Sequence, residues 1–114
     1  SKAEVLTEHV GSSELTTIGE TNRSDREIFM RDMEWLQSAD LVIAEVTTPS
    51  LGVGYELGIA AKLSIPVLCL YQSIKGKRLS AMISGNEKLK CKTYKTLDEA
   101  KIHINNFLKQ EQKA

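Results

Sequence analysis

Glu56 is the residue of this sequence whose type and setting best suit chemistry. It lies in residues 49–58 (PSLGVGYELG), shortly after the apolar run at residues 41–44. That run shows no polar alternation, so we expect a strand buried on both faces. A strand, a loop with proline and glycine, and a small-residue helix together form the arrangement with which α/β proteins hold ligands at the carboxyl ends of strands. The sequence therefore predicts a ligand site here.

Two readings of Glu56 follow from its position. If the helix begins between Gly52 and Gly54, Glu56 lies in its first turn, where free backbone N–H groups and the helix dipole favour an ionised carboxylate. An ionised carboxylate beside glycines that admit a ligand closely could act as a covalent nucleophile at a sugar carbon. The other reading is an ordinary first-turn acid, worth about 1 kcal/mol or less. The pattern alone favours the ordinary acid, because acids are common there.

Asp32 is a second carboxylate in an unusual position. Ser24 and Glu27 have the spacing of a capping box, which predicts the start of a helix. The apolar stripe of that helix contains Asp32 and is formed by Ile28, Phe29, Leu36 and Ala39, with Met33 and Trp35 at its margins. We expect the charges of Glu27, Arg31 and Glu34 on the opposite, solvated side. A carboxylate on a buried face costs several kcal/mol unless it is paired, so Asp32 has either a structural partner or a task in a cleft.

Composition limits the function classes. The chain has 114 residues, with 15 Lys and Arg against 15 Asp and Glu. That length fits one domain, and zero net charge gives no sign of a nucleic-acid or membrane partner. No apolar run approaches the roughly 20 residues of a membrane span, and the N-terminus does not read as a signal peptide, so we expect an intracellular protein. Cys69 and Cys91 lack metal-ligand spacing, and Cys69 is expected to be a core thiol.

The remaining elements predict an α/β fold. The predicted elements come in the order strand, helix, strand, helix: a short strand near Val5, the helix after Ser24, the strand at residues 41–44 and the helix of Glu56. Another apolar run follows at residues 65–71. Alternating helices and strands imply a parallel sheet. Residues 92–94 suggest a short edge strand, and a second capping box at residues 96–99 opens a last helix. The sequence has no GxGxxG after a strand and no Walker A motif, so neither a dinucleotide nor a P-loop site is expected.

The sequence resembles the 2'-deoxynucleoside 5'-phosphate N-hydrolases, a branch of the nucleoside 2-deoxyribosyltransferase superfamily. Residues 49–58 carry the specific part of this resemblance, and it covers most of the chain. It extends through residues 5–10 (VLTEHV), 32–36 (DMEWL), 39–40 (AD), 44–47 (AEVT) and 79–83 (LSAMI). With this match, the nucleophile reading of Glu56 becomes the favoured one.

The resemblance implies a Rossmann-like domain that hydrolyses the N-glycosidic bond of 2'-deoxynucleoside 5'-monophosphates, without a cofactor or metal. Glu56 matches the family nucleophile, which attacks C1' to form a deoxyribosyl-enzyme, and Asp32 matches the acid beside it. Ser50 and Gly52 match positions that hold the 5'-phosphate, and His9 could face the ligand, although a bystander role is the commoner one for such a residue. The segment Ser80, Ala81 and Met82 matches residues supplied by a second subunit. A homodimer with shared sites is therefore implied, in the cytoplasm or the nucleus.

One departure from the family concerns the N-terminus. Family members carry a first strand, a Gly-Ser loop that begins with tyrosine, and a helix before the strand that contains Val5. We therefore expect residues 1–114 to be a single deoxyribosyltransferase-like domain, N-terminally incomplete relative to the family. Because that first strand lies between the strands of Val5 and Val42 in the family, its absence predicts two unpaired edges inside the sheet.

Three hypotheses remain open at this stage. The first is the deoxynucleotide N-hydrolase. The second is a transferase that passes deoxyribose from one base to another, because water and an acceptor base compete for the same covalent intermediate. The third is a non-catalytic nucleotide-binding or dimerisation module, which the absent N-terminal segment favours. Release of free base, formation of a new nucleoside, or binding without turnover would distinguish them.

Overall fold

The computed structural model describes residues 3–7 and 23–113. Four strands alternate with helices along this part of the chain. The strands are β1 (Ala3–Leu6), β2 (Leu41–Glu45), β3 (Val67–Gln72) and β4 (Leu89–Tyr94). The helices are α1 (Asp25–Gln37), α2 (Leu51–Lys62), α3 (Ala81–Ser84) and α4 (Leu97–Lys113). His9 lies outside the described residues.

The described strands form one parallel sheet in the order β1-β2-β3-β4. The predicted Rossmann-like α/β class is confirmed. The predicted gap inside the sheet is wrong, because β1 pairs directly with β2, with Val5 opposite Ile43. A strand leaves its N–H and C=O groups unsatisfied unless it has a neighbour, so the two strands close on each other.

Two apolar layers hold the sheet between its helices. Alternate residues of a strand point to opposite faces, so Val42 and Ala44 join one layer while Leu41 joins the other. The first layer includes Leu36 of α1 and Leu57 of α2, both fully buried. The second layer is closed by Ala100 and Phe107 of α4. Helices α1 and α2 share the first layer, which supports the candidate site.

Helix capping follows the sequence at both predicted boxes. The Ser24 hydroxyl accepts a hydrogen bond from the Glu27 N–H at 3.1 Å, while the Glu27 carboxylate accepts one from the Ser24 N–H at 3.0 Å. Thr96 and Glu99 repeat this exchange before α4, at 3.2 Å in each direction. Each box satisfies N–H groups that a helix start leaves free, which fixes where α1 and α4 begin.

Two elements differ in length or composition from the expected ones. The predicted edge strand at residues 92–94 extends back to Leu89, because its backbone pairs with β3 from Val67 to Gln72. The apolar segment at residues 79–83 leads into the short helix α3 (Ala81–Ser84). Its Ile83 packs on the first apolar layer. Among the described residues, no helix combines the length and apolar character needed to cross a membrane.

Candidate active site

Ser50 sets the start of the helix that carries Glu56. Its side-chain oxygen accepts a hydrogen bond from the Val53 N–H at 3.2 Å, and its carbonyl accepts one from the Gly54 N–H at 3.0 Å. The helix therefore begins at Leu51, earlier than expected, and the prediction that Glu56 lies in the first turn is wrong. The N–H groups of Leu51 and Gly52 are in the first turn, where no carbonyl of the helix can accept them.

Gly52 and Gly54 leave open space at the same helix end. Neither has a positive φ angle, and a Cβ atom added to either would meet nothing within 4 Å. Each glycine inside a helix costs roughly 0.5–1 kcal/mol relative to alanine. The described protein atoms therefore leave room for another molecule to approach the backbone at this helix end.

Glu56 is half-buried in the second turn of α2. The pKa of Glu56 is raised from an ordinary 4.5 to about 7. Burial is the largest cause, and the neighbouring carboxylates of Asp32 and Glu4 raise the pKa further. The expectation of a carboxylate held ionised by the helix N-terminus is therefore wrong. Near neutral pH, this side chain exists in both protonation states.

Asp32 has the structural partner that one of the two readings required. Arg31 donates two hydrogen bonds to Asp32 Oδ1, from Nε at 3.1 Å and from Nη2 at 2.9 Å. The Arg31 side chain is only 16% exposed and lies over the Trp35 ring, 4.6 Å from its centroid. The prediction of a solvated Arg31 is wrong, because the ion pair and the cation–π contact draw the guanidinium inward.

The two carboxylates are brought together by contact between α1 and α2. Phe29 of α1 meets Tyr55 of α2 edge to face, with ring centroids 6.1 Å apart. Such pairs contribute about 0.5–1.5 kcal/mol beyond the area that they bury. Phe29 was expected to face the core, but it is 44% exposed at the junction of the two helices. Across the same two helices, the Asp32 carboxylate is close enough to Glu56 to raise its pKa.

The predicted segment Ser80 to Met82 belongs to another element of the fold, the start of α3. Ser80 caps α3, and its hydroxyl oxygen accepts a hydrogen bond from the Met82 N–H at 3.2 Å. All three residues are exposed, and Met82 shows 82% of its surface. α3 packs on β4, whereas Glu56 is beside α1 and β1. His9 cannot be assigned a place, because it is outside the described residues.

Sequence reasoning missed a polar network at the carboxyl ends of the strands. Glu45 accepts hydrogen bonds from the Thr47 N–H at 2.9 Å, the Thr47 hydroxyl at 2.6 Å and the Tyr94 hydroxyl at 2.5 Å. The network borders an open cleft of about 370 Å³. The residues that line this cleft are Thr7, Glu45, Thr47, Thr48, Gln72, Ile74, Lys77 and Tyr94. Glu56 and Asp32 are not among them.

The missed residues have recognisable signals. Arg31 and Trp35 are four apart on one helix, which is the spacing of a side-chain contact. Glu4 lies in a short strand whose neighbour Leu6 is buried, so alternation places both on one face. Tyr94 ends a strand, as Glu45 does, and parallel strands end at the same edge of a sheet.

The arrangement suits acid–base or nucleophilic chemistry near neutral pH. A carboxyl group with a pKa of about 7 beside a second, ion-paired carboxylate gives two acids of different behaviour in one place. Free N–H groups and a hydroxyl at the helix start suit an anion. Within residues 3–7 and 23–113, no group of three or more His, Cys, Asp or Glu side chains could hold a metal ion.

Comparison with known proteins points to relatives with closely similar sequences. A protein from Tetraodon nigroviridis, named 5-hydroxymethyl-dUMP N-hydrolase, is 57% identical over 84 residues, which are 73% of this chain and 59% of the relative. The human protein of that name is 56% identical over 82 residues, or 71% of this chain and 47% of the relative. The chain thus spans about half the length of several curated relatives that it matches.

A third relative is matched over most of this chain. It is the putative 2'-deoxynucleoside 5'-phosphate N-hydrolase 1 of Nematostella vectensis, 53% identical over 112 residues, which are 94% of this chain and 76% of the relative. The family described as nucleoside 2-deoxyribosyltransferase matches residues 3–109, which include all four strands and the carboxylates of α1 and α2. The chain belongs to the nucleoside 2-deoxyribosyltransferase family.

Proposed function

We propose that this protein hydrolyses the N-glycosidic bond of 2'-deoxynucleoside 5'-monophosphates, releasing the free base and 2-deoxyribose 5-phosphate. The observation that carries the proposal is the half-buried Glu56, whose pKa of about 7 is set by burial and by the nearby Asp32 and Glu4 carboxylates. It occurs in a member of the nucleoside 2-deoxyribosyltransferase family that is similar to proteins named N-hydrolases.

In the proposed reaction, the ionised form of Glu56 is the nucleophile. One carboxylate oxygen forms a bond to C1' while the bond from C1' to the base nitrogen breaks, and its electron pair leaves with the base, which takes up a proton. Water then attacks C1', the Glu56 ester bond breaks, and the sugar leaves with its original configuration. Asp32, fixed by Arg31, orients the reacting groups from the adjacent helix.

The 5'-phosphate is proposed to bind at the start of α2. Ser50 caps the helix with its oxygen lone pair, so its hydroxyl proton is available to donate to a phosphate oxygen. The N–H groups of Leu51 and Gly52 and the helix dipole favour the same negative charge. The absence of a Cβ atom at Gly52 lets the phosphate approach the backbone. The names of the relatives make 5-hydroxymethyl-dUMP the first substrate to test.

The decisive experiment measures release of free base by liquid chromatography. The purified protein is incubated with 5-hydroxymethyl-dUMP, with an unmodified deoxynucleoside monophosphate, and with the ribose counterpart. We expect base release from a deoxynucleotide, and its loss by at least about 10³-fold in Glu56→Gln, because glutamine cannot form the glycosyl ester. The matched control is Glu34→Gln, which neutralises an exposed carboxylate of α1.

Two results would contradict this proposal. Unchanged base release by Glu56→Gln would remove Glu56 from the nucleophile role. Binding of the monophosphate by wild-type protein, measured by calorimetry, without any base release would favour the non-catalytic module. An added acceptor base separates hydrolysis from transfer, because a transferase would yield a new nucleoside from the same intermediate.

We also propose a homodimer in which Ser80, Ala81 and Met82 complete the site of the partner subunit. These residues are exposed at the start of α3, which packs on β4. Leu51, at the start of α2, is 96% exposed, and an apolar side chain so placed next to a site suits a subunit contact. Mixing inactive Glu56→Gln with inactive Ser80→Ala subunits should restore part of the activity. A monomeric mass with full activity would refute shared sites.

A further inference from the structure

Glu45, Thr47 and Tyr94 join the ends of β2 and β4 to the turn that precedes α2. The carboxylate of Glu45 holds both the N–H and the hydroxyl of Thr47, while the Tyr94 hydroxyl holds the carboxylate from the far edge of the sheet. The Thr47 hydroxyl oxygen in turn accepts a hydrogen bond from the Gln72 N–H at 2.8 Å. One turn is thereby tied to the ends of three strands, β2, β3 and β4.

This turn leads directly into the proposed phosphate site. Only Thr48 and Pro49 separate Thr47 from Ser50, and both are exposed. Without the ties at Thr47, the position of Ser50 would depend on its own capping bond and on the first turn of α2. A connection of two residues transmits a displacement of Thr47 to Ser50, because Thr48 has only two free backbone torsions and the ring of Pro49 fixes one of its own.

We infer that Glu45, Thr47 and Tyr94 are positioning residues that hold Ser50 and the first N–H groups of α2 in the geometry that binds the 5'-phosphate. The inference rests on the proposed function and assigns a role to residues that do not contact Glu56. Three hydrogen bonds to a carboxylate are stronger than neutral ones, so they suit a fixed turn. The hydroxyls of Thr47 and Tyr94 both donate to the same carboxylate oxygen, Oε2 of Glu45. Loss of either hydroxyl therefore weakens the hydrogen bonding of the turn to the strands without abolishing it.

The donor role of Tyr94 persists at all physiological pH values. Burial, and then the hydrogen bond to Glu45, raises the pKa of the Tyr94 phenol. The hydroxyl therefore stays protonated and continues to donate to the carboxylate. Glu45 is half-buried at the edge of the cleft, and Lys77 also lines that cleft.

The test compares two substrates in Tyr94→Phe. If Tyr94 positions the phosphate site, KM for a deoxynucleoside monophosphate rises about tenfold, the usual worth of a hydrogen bond to a charged group. The rate on the matching deoxynucleoside, which has no phosphate, stays within about twofold of the wild-type rate. A general loss of structure would lower both rates together.

Tyr71→Phe is the matched control. Tyr71 lies in the neighbouring strand β3, is buried, and has a hydroxyl with no hydrogen-bond partner among the described residues. Removing that hydroxyl deletes the same atom from the same residue type without touching the turn. We expect no change in the KM for the monophosphate.

Thr47 provides a second, independent pair of variants. Thr47→Ser keeps the hydroxyl and should retain the wild-type KM, whereas Thr47→Val removes it at similar size and should reproduce the effect of Tyr94→Phe. Combining Tyr94→Phe with Ser50→Ala should raise KM by less than the product of the two single effects, because both act on one phosphate contact.

The outcomes separate this inference from the proposed function. Wild-type protein that releases no base from any deoxynucleotide refutes the proposed function. Active wild-type protein with equal KM values in Tyr94→Phe and Tyr71→Phe refutes the positioning role alone. Equal losses on both substrates in Tyr94→Phe and Thr47→Val also refute it, and assign the network to stability.

Discussion

Replacing Glu56 with glutamine should make the protein more stable in a strongly pH-dependent way. The pKa of Glu56 is about 7 in the folded chain, against an ordinary 4.5 that represents the unfolded one. Between these values the folded protein holds the extra proton. The free energy of unfolding therefore falls as pH rises through this window, by up to about 1.4 kcal/mol per pH unit.

The size of the effect follows from the same two values. The full interval between 4.5 and about 7 would correspond to at most about 3 kcal/mol. Because Glu56 is only half-buried, solvent screening reduces the expected figure to about 1–2 kcal/mol. Glutamine has nearly the same size and helix propensity but cannot ionise. We expect Glu56→Gln to match the wild-type stability near pH 4 and to exceed it by about 1–2 kcal/mol at pH 8.

Urea unfolding at several pH values, followed by the fluorescence of Trp35, measures this difference. Glu34→Gln serves as the control, because it makes the same chemical change at an exposed carboxylate on α1. A stability difference for Glu56→Gln that is the same at pH 4 and pH 8 would show that burial and the neighbouring carboxylates do not destabilise its charge. A loss of stability at pH 8 would reverse the sign of the argument.

Three further predictions concern the same site. Asp32→Asn removes one carboxylate that raises the pKa of Glu56, so the acidic limb of the kcat/KM profile should move to lower pH; an unmoved limb would contradict the coupling. Ser50→Ala and Ser24→Ala each remove a helix cap and should each cost about 1 kcal/mol in thermal unfolding. Only Ser50→Ala should also raise KM for the monophosphate. Gly52→Ala should raise the free energy of unfolding by roughly 0.5–1 kcal/mol, because its methyl group meets open space. Calorimetry should show weaker binding of the monophosphate by this variant. Unchanged affinity would contradict a phosphate site at Gly52.

The fold could be predicted from local patterns because each pattern has a short-range cause. Ser24 and Glu27 mark a helix start through bonds three residues apart. The apolar run at residues 41–44 has no polar face, so it had to be covered on both sides. The pairing of β1 with β2 could not be predicted in this way. Which strands become neighbours depends on the hydrogen-bonding groups of the whole sheet. The backbone of Ala3–Leu6 pairs with β2.

The electrostatics of Glu56 could not be predicted from its local sequence. Glu56 was expected to be ionised because only its own helix was considered. Burial is the largest cause of its raised pKa, and the carboxylates that raise it further, Asp32 and Glu4, come from α1 and β1, which are distant in sequence. Arg31 was misplaced for the same reason. A helical wheel assigns it to solvent, whereas the Asp32 carboxylate and the Trp35 ring hold it inward.

The features of α2 that cost stability are concentrated at one end of the helix. Glycines at positions 52 and 54 and the uncompensated carboxyl of Glu56 all lie within its first two turns. The buried residues Leu57, Ala60 and Ala61 follow in the remaining turns and fix the helix against the sheet. A helix selected for stability alone would place alanine at the open glycine positions and a neutral residue beside Asp32. The packed C-terminal turns of α2 thus hold in place N-terminal turns that are themselves destabilising. A site that must present free N–H groups and a reactive carboxyl to a ligand needs this kind of support.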